Sequence, residues 1–167
     1  MINRYKRLFK IKTIKYTIFL YLFIVFNSFS ASSQITIYPV QNFNFGTFYQ
    51  GYSGGTVNIS ATGERSATGD IILMNTSASD SQAIFDIQAP AGSIISLSTP
   101  DATLTGSNGG TMTLHISHTD PASPFNTNAV PPNLTRIQVA GALTVGNRTS
   151  SPPGIYQGSF SVTFNQQ

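Results

Sequence analysis

The sequence predicts an all-β fold: an immunoglobulin-like antiparallel sandwich of two sheets and about eight strands, with a closed barrel as the alternative. Three observations predict it. After residue 34, apolar residues alternate by two in short runs, and no window repeats them at i, i+3, i+4 and i+7 for three turns. Charge is sparse there, nine residues or about 7% against a usual ~25%, while Thr, Ser, Asn and Gln abound. All 14 glycines and all 9 prolines also fall in this part, many of them in clusters between the runs.

The elements follow in order. Ile35 and Ile37 open the series as a short strand. Val57 and Ile59 alternate with Thr56, Asn58 and Ser60, and Ile71 to Met74 is a continuous apolar run, the pattern of a strand buried on both faces. Ala83, Phe85 and Ile87 alternate next, Ile95 and Leu97 follow, and Met112, Leu114 and Ile116 face away from Thr111, Thr113, His115 and Ser117. Ile137, Val139, Leu143 and Val145 make another strand, in which Gly141 suggests a bulge or bend. Tyr156 to Phe164 shows the cleanest alternation and predicts one long final strand. Turn chemistry marks Gly54-Gly55, Ala67-Thr68-Gly69, Pro90-Ala91-Gly92, Thr99-Pro100-Asp101 and Asn108-Gly109-Gly110. The long connection from Thr119 to Asn133, with Pro121, Pro124, Pro131 and Pro132, predicts a surface excursion or a functional loop.

Residues 1–33 have the three parts of a cleaved signal peptide, leaving 34–167 as a single sandwich domain. A basic stretch ends at Lys15, an apolar run covers Tyr16 to Phe26, and Ala31 and Ser33 occupy the −3 and −1 positions before Gln34. The run falls well short of the ~20 residues that cross a bilayer, so no stable membrane span is expected after cleavage. Six of the nine basic residues lie in this leader. The remainder carries Arg65, Arg136 and Arg148 against six acids, a net charge of −3, and no lysine. Nucleic acid is therefore excluded as a partner, since three scattered arginines make no basic stripe. Chemistry that needs a lysine, such as Schiff bases or a phosphate-binding loop, has no residue to use. The expected location is secreted or cell-surface, with the periplasm also open.

Several segments in this order resemble a known family: Asn44-Phe45-Gly46, Gly54-Gly55-Thr56-Val57, Gly63-Glu64-Arg65, Thr68-Gly69 and Ala83-Ile84-Phe85-Asp86-Ile87. A closing run from Gly154 to Thr163, with Tyr156, Gly158, Phe160 and Val162, completes the set. The chain is similar, over about residues 43 to 165, to domain-of-unknown-function family 4402, secreted bacterial sandwiches. The resemblance implies export and a β-sandwich, with a distant likeness to fimbrial subunits and adhesins. It implies no catalytic residues.

No catalytic, cofactor-binding or metal residue is expected, and no cofactor. Gly51-Tyr52-Ser53-Gly54-Gly55 fits the Gly-x-Ser-x-Gly pattern, but a strand follows rather than a helix. Both histidines come after Ser53, and Tyr52 stands where trypsin-like proteases have aspartate. His115 and His118 differ by three, which places them on opposite faces of a regular strand; His118 and Asp120 share a face if the strand runs that far, yet two ligands do not close a zinc site. The six acids are spread singly, without the facing pair of a glycosidase or the Asp-x-Asp-x-Asp run of a calcium loop.

What remains is a structural or interaction protein without catalytic activity, a fimbria- or adhesin-like subunit; the alternative is a carbohydrate-binding module. Partners would be other copies or surface subunits, through β-strand addition, or glycans. Tyr38, Tyr49, Tyr52 and Phe125 are the aromatics best placed in loops to stack on sugar rings; ordinary packing at the edge of the core is the favoured reading for each, and the absence of tryptophan counts against stacking. Edge defences are thin, with no lysine and an uncharged final segment. The first strand either completes its own sheet or is donated to a neighbour.

Overall fold

Period-two alternation gives a β-rich chain, and in the computed structural model it does so over residues 34–75 and 80–167, the residues described. The expected signal peptide lies outside them. Eleven strands form: β1 (Thr36–Gln41), β2 (Thr47–Ile59), β3 (Arg65–Met74), β4 (Ala83–Gln88), β5 (Ile94–Ser98), β6 (Ala102–Gly106), β7 (Thr111–Asp120), β8 (Phe125–Asn126), β9 (Thr135–Val145), β10 (Tyr156–Gln157) and β11 (Thr163–Gln166). This exceeds the eight expected because the predicted final strand is divided into β10 and β11, and because β6 and the two-residue β8 were not expected from the sequence.

All pairings between strands are antiparallel. The larger sheet runs β1-β4-β9-β7-β6-β10 and branches at β9, whose first half pairs with β4 and whose second half pairs with β2. β3 pairs only with β2. The smaller sheet is β11-β5-β8. Val57, Ile59, Ile87, Ile95, Ile137 and Val139 are at most 1% exposed and form the centre of the core. Each contributes about 1.5–3 kcal/mol by leaving water.

Four departures from the sequence pattern have physical causes. Ile71 to Met74 is not buried on both faces; it belongs to an edge strand, and Ile72 and Met74 point outward. Gly54-Gly55 and Ala67-Thr68-Gly69 are not turns. They lie inside β2 and β3, where four residues of β2 (51–54) oppose the single Asp70 of β3 between Gln50↔Ile71 and Gly55↔Gly69. Gly54 has φ +77°, and a Cβ there would meet the Val145 carbonyl oxygen at 2.4 Å, so the bulge has room only for glycine. The real hairpin turn is Ser60 to Glu64, where the Gly63 amide donates to the Ser60 carbonyl at 3.0 Å.

The third departure is the final segment. Tyr156-Gln157 pairs with β6, whereas Thr163–Gln166 pairs with β5, so the chain changes sheets between them. Its side chains still alternate, because Phe160 seats between Phe43 and Phe85, at ring-centroid distances of 5.2 and 6.3 Å. The fourth concerns Gly141, which pairs regularly with Ile59; the bulge of this region lies on β7, between Ile116 and His118. Glycine is needed at 141 for a different reason: the Phe43 ring lies over it, 2.9 Å from where a Cβ would stand.

The long proline-containing connection is anchored rather than free. Phe125 pairs with Ile95 and is buried, and the fully buried Thr127 exchanges backbone bonds with Ser93 and Gly92.

Candidate functional site

Two surfaces have the character of interaction sites. The first is the edge strand β1. It pairs with β4 from Thr36↔Gln88 to Gln41↔Ile84, with a bulge between Pro39 and Gln41. Ile37 lies opposite the buried Ile87 and shares its face, yet it is 40% exposed because no described residue covers that corner. Five of the six β1 residues are exposed. Backbone hydrogen bonds hold this strand far more than side-chain burial does. Pro39 and the bulge interrupt its outer edge, which disfavours addition of a further strand there.

The second surface is a groove over the half of the large sheet formed by β2, β9, β7 and β6. Here the groove is bounded by the Phe43–Gly46 segment, the start of β2 (Thr47–Gln50, paired with β3) and the irregular stretch from Gly146 to Tyr156. The groove encloses about 660 Å³, with Leu104, Met112 and Leu143 in its floor and Asn44, Gln50 and Arg148 among its polar groups. A second hollow of about 500 Å³ shares Phe43, Phe45, Leu104 and Tyr156 with it and continues past Gly158. Burial raises the pKa of the Tyr156 hydroxyl above its ordinary value, and that hydroxyl donates to the Pro152 carbonyl at 2.6 Å.

The three arginines of the domain have different surroundings. Arg65 is buried and clamps the Phe45 and Met74 carbonyls at 3.0 and 2.9 Å, with Asp80 at 3.4 Å. Arg136 makes a two-pronged pair with Asp86, at 2.9 and 3.0 Å. That hydrogen bonding lowers the Asp86 pKa, against a smaller opposing effect of burial. Arg148 meets no carboxylate among the described residues. Its guanidinium lies 5.4 Å from the Tyr49 ring centroid and donates to the Tyr49 hydroxyl and, at 3.4 Å, to the Gln50 carbonyl. Sequence reasoning passed over Arg148 because three scattered arginines look alike until their partners are seen.

The residues considered for catalysis are not assembled. The Ser53 amide, with that of Tyr52, donates to Asp70, which braces the β2 bulge. His115 lies two strands away, level with Asn58 through Ala142, and its Nδ1 is 2.7 Å from Asp101. The histidine geometry corrects the expectation of opposite faces. The extra residue at the β7 bulge shifts the phase, so His115, His118 and Asp120 all point to the exposed face. Even so, no three His, Cys, Asp or Glu side chains among the described residues are placed to hold a metal ion. Asp70, Asp80, Asp86 and Asp101 each hold a separate partner. Of the aromatics expected in loops, Tyr38, Tyr49 and Tyr52 are exposed but lie on strands, and Phe125 is in the core. Tyr49 alone lines the groove.

Fold and surface together define the class: an all-β domain of two antiparallel sheets, with an aromatic-lined groove. Among the described residues no helix is long and apolar enough to cross a membrane. The model of a family described as a domain of unknown function, DUF4402, matches residues 35–165, and the chain belongs to that family. No curated protein and no solved structure matches it.

Proposed function

We propose that this protein is an exported surface interaction subunit without catalytic activity, and that it joins neighbours by exchanging β1. The observation that carries this reading is the way β1 is held. It is N-terminal in the domain, pairs with β4 alone, and leaves five of six residues exposed. Releasing it costs a short ladder, about 0.5–1.5 kcal/mol per net hydrogen bond, and little apolar burial. The same ladder re-forms when β1 of one copy lies on β4 of the next, so the opposing term is mainly association entropy. Addition outside β1 is less favourable, because Pro39 withholds a donor. Exchange is therefore the route that the edge permits. The chain beyond Asn42 stays anchored, since Asn44 and Ser81 exchange two backbone bonds of 2.9 Å and Phe45 is buried.

Export and a surface location are part of this proposal, supported by the leader's three-part pattern and by the lysine-free, charge-poor domain. The test compares the protein beginning at Gln34 with a version beginning at Asn42, by light scattering over a range of concentrations. Oligomers from the first that the second neither forms nor joins are expected. A strictly monomeric intact protein, with a truncation that only loses stability, would show that β1 serves its own sheet.

A further inference from the structure

We infer that the groove beside Arg148 is a binding site for a carboxylate-bearing oligosaccharide. This stands apart from strand exchange, which involves a different edge.

The first support is preorganisation. Gly146 to Tyr156 has almost no ladder pairing, yet side chains fix it throughout. The Asn147 side-chain oxygen accepts from the Thr149 and Ser150 amides, both at 3.0 Å. The buried Ser151 hydroxyl accepts from the Gly146 amide at 3.0 Å and donates to the Thr111 carbonyl at 2.7 Å. Asn108 donates to the Pro153 carbonyl at 2.9 Å, and the Gln50 side chain reaches the Gly146 carbonyl. An irregular segment held this way forms a wall that is ordered before a ligand arrives, which removes much of the usual ordering cost.

The second support is charge. Among the described residues Arg148 has no carboxylate partner, whereas Arg65 and Arg136 each have one. Neutral partners orient its guanidinium through Nη2 alone, leaving a planar fork that matches a carboxylate. The domain's net charge is −3, so a general field does not attract anions; recognition would be local.

The third support is shape. The groove's volume of about 660 Å³ suits a small ligand, and the neighbouring hollow of about 500 Å³ lengthens the surface beyond one sugar ring. Phe43, Phe48 and Tyr156 offer aromatic surface to the C–H faces of pyranose rings. The groove is open along one side, with Asn44 and Gln50 among its polar groups, so sugar hydroxyls could remain hydrated. A fatty acyl chain lying in an open groove would keep part of its apolar surface in water.

The experiment is calorimetric titration of the protein with a uronate tetrasaccharide, with its carboxyl-reduced neutral counterpart, and with palmitate. Acidic binding at least about tenfold tighter than neutral is expected, weakening as salt rises. Arg148→Ala should lose about tenfold or more, Arg148→Lys should retain part, and Arg136→Gln should bind like the original protein. Arg148 is exposed and outside the core, so a thermal melt will show these variants folded. Equal binding of the neutral sugar, an unaffected Arg148→Ala variant, or binding of palmitate alone would overturn the inference. So would a folded protein that binds none of the acidic sugars on a glycan array.

Discussion

The two ends of this sandwich are closed by different means, and the difference separates stability from function. At one end the β11-β5-β8 sheet covers β4 and the first half of β9. Ile95, Ile87 and Ile137 are fully buried there, and Phe125 nearly so. At the other end the start of β2, a run of phenylalanines and an irregular loop do the covering, and a groove remains. A ladder brings a second layer to the regular spacing at which side chains interdigitate, about 10 Å. A loop has no such spacing and leaves room. An aromatic row bridges the two ends, from Phe45 through Phe43, Phe160 and Phe85 to Phe164.

The largest expected effect tests this contrast directly. Phe125→Ala at the sheet-covered end should cost about 3–5 kcal/mol in urea unfolding, because a closed site cannot collapse around the cavity. Phe43→Ala at the groove end should cost less than half as much, since that ring is only partly buried. Equal costs would mean that the groove end is packed as tightly as the other.

Gly141→Ala comes next, at about 1–3 kcal/mol, because its Cβ would meet the Phe43 ring at 2.9 Å. Phe43→Leu in the same chain should recover part of that loss, and purely additive effects would show that the ring is not the obstacle.

A smaller effect concerns pH. The Asp86 pKa is depressed in the folded protein by hydrogen bonding from Arg136. Its stabilising contribution is thus fully present above the unfolded carboxylate pKa, about 3.9, and is lost as pH falls through the lower folded value. Asp86→Asn should flatten this part of the acid-unfolding curve and leave its neutral-pH shape unchanged. Smallest of all, Ser53→Ala, His115→Ala and His118→Ala should each shift stability by less than about 0.5 kcal/mol, with no stoichiometric zinc in the purified protein. Loss of an activity on Ser53→Ala would contradict the non-catalytic reading.

The sequence pattern was a good guide to faces and a poor guide to partners. Tyr156, Phe160 and Phe164 turn inward as their alternation requires, but alternation is the same whichever sheet a strand joins, so the change from β6 to β5 left no mark on it. The apolar run Ile71 to Met74 looked doubly buried because hydrophobicity alone does not reveal an edge. Glycine clusters were ambiguous for a related reason: left-handed backbone serves a bulge, as at Gly54, as readily as a turn. The extra residue that turns His118 toward solvent depends on register with β9, a tertiary fact. For the groove, the loop's Asn147, Ser151 and Pro152 were visible, but their convergence with Tyr49, about a hundred residues earlier, was not.

Strand exchange is the central claim, and the absence of cysteine from the sequence makes one measurement especially direct. Thr36 and Gln88 are paired across β1 and β4, so Thr36→Cys and Gln88→Cys together form a reporter of whose β4 each β1 occupies. The doubly substituted protein would be concentrated, oxidised and run on a non-reducing gel, beside each single variant. Exchange predicts covalent dimers and longer ladders from the double variant, beyond the dimer that a single cysteine allows. Monomers alone, closed by an internal disulfide at every concentration, would contradict it.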